Sequence, residues 1–212
     1  MIGLIRSLMM GIGAATAASV PAAATVTVPE VNGVAVTLNM RTWQEHRFVA
    51  TVPQQHDFSC GSAALATLLR YHYGTAVSED EVFRDMYERG DQAKIRREGF
   101  SMLDMKSYLD RHGFAAGGYR VPIRALAEAR VPAIALISED RYNHFIVIKG
   151  LHSDRVLIGD PAKGARTLNV DEFERVWKNG IVLMISQQDH RVPSFNSPSD
   201  WDAAPLAPLA MG

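Results

Sequence analysis

The chain has 212 residues, 47% of them hydrophobic and 21% charged, which fits one ordinary domain around a single core and excludes a disordered or collagen-like chain. Its 22 basic and 23 acidic side chains leave a net charge of -1, which excludes a broad positive field for nucleic acid or anionic lipid. A single cysteine, Cys60, excludes an internal disulfide.

In residues 1–24 Arg6 is the lone charge, 8–20 is an uncharged run, and Ala22-Ala23-Ala24 is small. That is the plan of a secretory signal cleaved after Ala24, so the mature protein is expected in the periplasm or outside the cell. The run is too short to anchor a span, and no later stretch reaches spanning length, so no integral membrane domain is expected. Residues 25–51 read as an N-terminal extension, extended and loosely alternating over 25–38. The organised domain is placed at 52–187. The tail 188–212, with Pro193, Pro198, Pro205 and Pro208, reads as loosely ordered.

Within the domain, Cys60-Gly61-Ser62 and the apolar run 63–69 predict a largely buried helix that stops at Gly74. Ser78, with Glu81 three residues on, opens a second helix ending at Gly90, and Ser101 opens a third ending at Gly113. Lys94, Arg96 and Arg97 read as a solvated turn. Strands then follow at 118–121, 131–137, 144–148, 155–158 and 181–185, with a helix at 123–129, a hairpin loop at 149–154 and a brief helix capped by Asp171. Helices first and an antiparallel sheet second make an α+β domain, without internal repeats.

Cys60 is the candidate nucleophile. A thiol reacts as thiolate, and a helix start offers unpaired N–H groups and the positive end of the dipole. A buried structural cysteine is the alternative. A base is needed next, and His144 stands out among seven histidines because it opens the apolar strand Phe145-Ile146-Val147-Ile148. Asp160, ending the following strand, can orient that imidazole if the register brings the strand ends together; otherwise Asp160-Pro161 is a simple turn. The amide of Gln54 with the Cys60 N–H would hold a developing oxyanion, and Gln55 competes for that role. One cysteine and scattered histidines give no zinc-ligand pattern, and no glycine-rich loop links a strand to a helix, so no metal or other cofactor is expected.

These motifs together resemble the bacteriocin-processing, or double-glycine leader, cysteine peptidases, which are papain-like. The likeness covers about 52–185 and rests on Gln54 six positions before Cys60, on Cys60-Gly61-x-Ala63-Ala64-Leu65, on Tyr73-Gly74, on His144-Phe145-Ile146-Val147-Ile148 and on Gly159-Asp160-Pro161. It implies a papain-like fold with N-terminal helices packed on an antiparallel sheet. It also implies Cys60 as nucleophile, His144 as base and acid, Asp160 as orienter and Gln54 as oxyanion donor. Two departures stand out: Ser59 replaces the acidic residue that often precedes the cysteine, and many relatives are the N-terminal part of an exporter, whereas this chain reads as a stand-alone exported member.

The expected activity is hydrolysis of a secreted or surface peptide or protein, with no nucleic acid as partner. Two alternatives keep the fold: a peptide-binding module without hydrolysis, and an amidase or acyl transferase.

Overall fold

The computed structural model describes residues 24–31, 34–40, 42–139, 142–177, 180–186 and 192–204. The signal expected over 1–24 lies outside these except for Ala24. β1 (Ala24–Val31) and β2 (Val34–Met40) pair antiparallel with each other, Val26 opposite Leu38, and form a unit by themselves. The single extended segment read over 25–38 is therefore a hairpin.

The rest of the chain begins with α1 (Trp43–Arg47), set by a capping box between Thr42 and Glu45. Then α2 (Cys60–Thr67) passes directly into a π-helical turn, Leu68–His72, and Gly74 follows with φ +66. All eight residues of α2 are buried, as a helix without a polar face requires. Small residues let it sit deep: a Cβ on Gly61 would lie 3.0 Å from that of Phe100.

The capping signals hold for α3 (Glu79–Arg89), where Ser78 and Glu81 close a capping box. The basic cluster is not a turn but α4 (Gln92–Glu98), capped by Asp91, which accepts the Lys94 N–H. One buried residue, Ile95, leaves α4 almost no apolar period to detect. α5 (Met102–Arg111) begins at Ser101 as expected.

The remaining elements are β3 (Ala116–Arg120), α6 (Ile123–Ala129), β4 (Ala133–Glu139), β5 (Tyr142–His152), β6 (Arg155–Asp160), β7 (Gly164–Asn169), α7 (Val170–Val176), β8 (Ile181–Ile185) and α8 (Pro198–Ala203). Six strands form one antiparallel sheet in the order β3-β8-β4-β5-β6-β7. Three readings change. β5 continues through the segment read as a hairpin loop, leaving only Ser153-Asp154 to turn the chain. β7 went unread, because Gly164-Ala-Arg-Thr-Leu-Asn has neither alternation nor an apolar run, and its ladder to β6 holds it. α7 is capped by Asn169, whose Oδ1 accepts the Glu172 N–H, with Asp171 inside the first turn.

Both sheet faces are covered, so the fold has three layers. Leu65, Leu69, Met105, Phe145 and Val147 belong to the core against the N-terminal helices. Ile146, Ile148, Ile158 and Phe173 belong to the opposite core, with α6 and α7. Burial on both faces explains why β4 and β5 read as continuous apolar runs. The tail is not loose between Val192 and Ala204. The Asn196 N–H donates to Lys149 O at 2.9 Å, and the Asn196 side-chain amide donates to Leu151 O at 2.9 Å. Gly150 lies between these contacts, where a Cβ would fall 2.1 Å from Asn196 Oδ1.

Candidate active site

Cys60 is the first residue of α2, and Ser59 makes no side-chain cap. The Ser59 hydroxyl is used one turn earlier, accepting the His56 N–H at 3.1 Å. The helix ladder starts with Ala63 N–H to Ser59 O at 3.1 Å, so the Cys60 N–H stays outside it. Cys60 is 7% exposed. Burial pushes its pKa up, the N–H groups of Phe145 and Gly61 pull it down, and the charge of Asp160 pushes it up; the net direction is upward. The helix start alone therefore does not supply a thiolate, and the proton needs an acceptor.

His144, the candidate acceptor, stands on β5, which packs against α2 and whose Phe145 N–H acts on the Cys60 sulfur. His144 Nε2 lies 3.1 Å from Asp160 Oδ2, with both side chains buried. β5 and β6 pair with Val147 opposite Gly159, which brings their ends together. A bulge between Ile148 and Gly150 sets this register, and the sequence carried no sign of it. Burial alone would raise the Asp160 carboxyl. Hydrogen bonding to His144 and its charge, the Ala162 N–H and the Arg166 guanidinium outweigh that and hold it down at about 2. An ionised carboxylate only accepts, so His144 Nε2 donates to Asp160. Nδ1 is buried and has no hydrogen-bond partner among the described residues.

Three further residues complete this corner, none apparent in the sequence. Arg166 on β7 donates to Asp160 Oδ2 at 3.0 Å and to both oxygens of Glu139 at 2.9 Å, while Lys163 Nζ donates to Glu139 at 2.7 Å. Their partners come from different strands, so no local spacing reveals them. Donor atoms of Glu139, His144 and Asp160 also lie within 4.8 Å of one another, a geometry that could cage a cation. Arg166 already brings positive charge to both carboxylates, and Lys163 to Glu139.

Gln54 is half-buried and Gln55 exposed. The Gln54 N–H donates to Pro161 O at 3.0 Å, which seats it beside Asp160, and its Nε2 donates to His56 O at 3.2 Å. One amide hydrogen is left over. Gln54 also lines a cleft of about 460 Å³ with Glu45, Phe48, Pro53, Pro161 and Ala162. No helix of the described residues is long and apolar enough to cross a membrane.

The profile of the peptidase C39 family matches residues 49–190. The chain is 39% identical over 169 residues to "Probable functional amyloid protease FapD" of Pseudomonas aeruginosa, covering 79% of this chain and 74% of that one. It is 29% identical over 145 residues to the lactococcin-G-processing and transport ATP-binding protein LagD of Lactococcus lactis, covering 67% of this chain but only 19% of the transporter. Among solved structures, a double-glycine-motif protease from an AMS/PCAT transporter, in complex with its leader peptide, superposes with a TM-score of 0.52 at 28% identity, over 64% of this chain and 91% of that one.

Proposed function

The chain belongs to the peptidase C39 family and is a cysteine peptidase, and we propose that it cuts through Cys60, His144, Asp160 and Gln54. The Cys60 proton passes to His144 Nδ1 and the sulfur attacks the scissile carbonyl carbon. The Cys60 N–H and the spare Gln54 amide hydrogen hold the oxyanion. The imidazolium protonates the leaving amine, giving an acyl-enzyme. His144 then takes a proton from water, whose oxygen attacks the thioester and releases Cys60. Asp160 stays ionised throughout, fixing the tautomer and offsetting the imidazolium charge.

One observation carries this reading. The His144 imidazole is held through Nε2 by a strongly acidic carboxylate, and its Nδ1 is buried without a hydrogen-bond partner among the described residues.

The substrate in this reading is a peptide or protein outside the cytoplasm, and the chain itself is exported. The secretory plan of residues 1–24 supports this. The names of relatives, a functional amyloid protease in one case and a lactococcin-G-processing protein in another, support a peptide or protein as substrate. The test is incubation with a peptide library and identification of fragments by mass spectrometry. Cleavage by the wild type and none by Cys60→Ala or His144→Ala is expected. Undiminished cleavage by both variants overturns the assignment.

A further inference from the structure

Tyr142 is the first residue of β5 and stands two positions before His144, so the two side chains share a face of the strand. Their rings stack, with centroids 5.7 Å apart and planes 25° from parallel. The Tyr142 hydroxyl donates to the Asp57 carbonyl at 2.8 Å, across to the loop that leads into Cys60. That loop is itself fixed: the Ser59 N–H donates to His56 O at 3.0 Å, and Gln54 Nε2 donates to the same carbonyl at 3.2 Å. One side chain thus touches the imidazole and ties the strand of the base to the loop of the nucleophile. Tyr142 is 49% exposed while His144 is 2% exposed, so the phenol forms the outer cover of a buried ring. Its own pKa is raised, first by burial and then by the charges of Cys60, Asp57 and Asp160, which places it beside the reacting groups.

Resting on the peptidase reading above, we propose that Tyr142 is a positioning residue: its ring, stacked on the His144 imidazole, holds that imidazole against rotation. Asp160 grips Nε2 at one point only, and a ring held at one atom can still swing about that contact. A flat surface stacked on one face removes that freedom, and the reach of Nδ1 to the thiol depends on its removal. An exposed large aromatic at a strand end needs no packing reason to be aromatic, so its stability cost should be small.

The experiment compares Tyr142→Phe with Tyr142→Leu. Three quantities are read: kcat and KM on a peptide the wild type cleaves, the pH dependence of Cys60 alkylation by iodoacetamide, and the melting temperature. Leu is expected to lower kcat by about tenfold or more with KM little changed, as loss of orientation does, and to displace the alkylation profile. Phe keeps the ring and is expected to retain most of kcat and the wild-type profile. Wild-type kcat in the Leu variant, or an undisplaced profile in it, overturns the proposal. Equal kcat losses in both variants overturn the role given to the ring. A His144→Ala control separates this failure from failure of the peptidase reading: alkylation independent of His144 removes the thiol–imidazole pair itself.

Discussion

Asp160 carries more partners than holding one imidazole demands. Oδ1 accepts the N–H groups of Ala162 at 2.9 Å and Lys163 at 3.2 Å, and Oδ2 is shared by His144 and Arg166. The carboxylate is thereby fixed in position and in charge, and its contact with Nε2 holds the imidazole in place. Asp160→Asn keeps the shape but offers a donor or a weaker acceptor to Nε2, which frees the tautomer. It is expected to lower kcat about 10²-fold or more, with a far smaller change in KM, measured on a peptide the wild type cleaves. Wild-type kcat in this variant excludes Asp160 as orienter. The four residues nominated for chemistry were legible because each sits at a recognisable place: a helix start, a strand start, a strand end and the loop before the cysteine. Arg166, Glu139, Lys163 and Tyr142 were not, because their meaning lies in partners on other elements.

Among the elements, those with local signals match their expected positions: α3 and α5 with capping boxes, and α6 and β8 with compact apolar runs. β7, α4 and the strap 192–204 were missed because tertiary contacts rather than their own pattern hold them. The strap is the clearest case. Its Asp200 accepts a hydrogen bond from Lys149 Nζ at 2.8 Å, with both groups buried, and Lys149 also donates to Ala50 O at 2.8 Å. Burial pushes the Lys149 ammonium down, and the charge and hydrogen bond of Asp200 pull it up. Ala203 and Ala204 add apolar contact with Leu157 and Ala165. Breaking one side of a buried pair strands the other charge, so Asp200→Ala is expected to cost about 3 kcal/mol in denaturant unfolding. Lys149→Met with Asp200→Leu removes both charges and is expected to recover most of that loss. A double variant as weak as the single one shows that packing, not the ion pair, holds the strap.

At the scale of the molecule, α2 and β5 each carry one half of the proposed chemistry at one end and a strap contact further along. α2 begins at Cys60, and the π-helical turn that extends it ends at His72; β5 carries His144 near its start and Lys149 five residues on. The strap meets both: His72 Nδ1 donates to Ser194 O at 2.6 Å, the Ser194 N–H donates to His72 O at 3.0 Å, and Asp200 meets Lys149. The remaining nitrogen of His72 is buried without a partner. Protonation would place a second charge near Lys149, which burial opposes most, although Ser194 O and the Asp200 carboxylate favour it. The His72 pKa falls to about 4. The unfolded chain takes up this proton near pH 6.5 and the folded one only near 4, so between those values the unfolded state binds more protons and stability falls as the pH falls. Asp160 acts lower: its stabilisation is present above its unfolded value near 3.8 and is lost only as the pH drops through about 2. Between pH 7 and 4.5, wild-type unfolding free energy is expected to fall about 2 kcal/mol further than that of His72→Gln, which has no proton to take up there. Parallel pH slopes for the two proteins in denaturant titrations would detach His72 from acid sensitivity. A steeper wild-type slope ties the strap, and through it both elements of the proposed chemistry, α2 and β5, to one buried imidazole remote in sequence from His144.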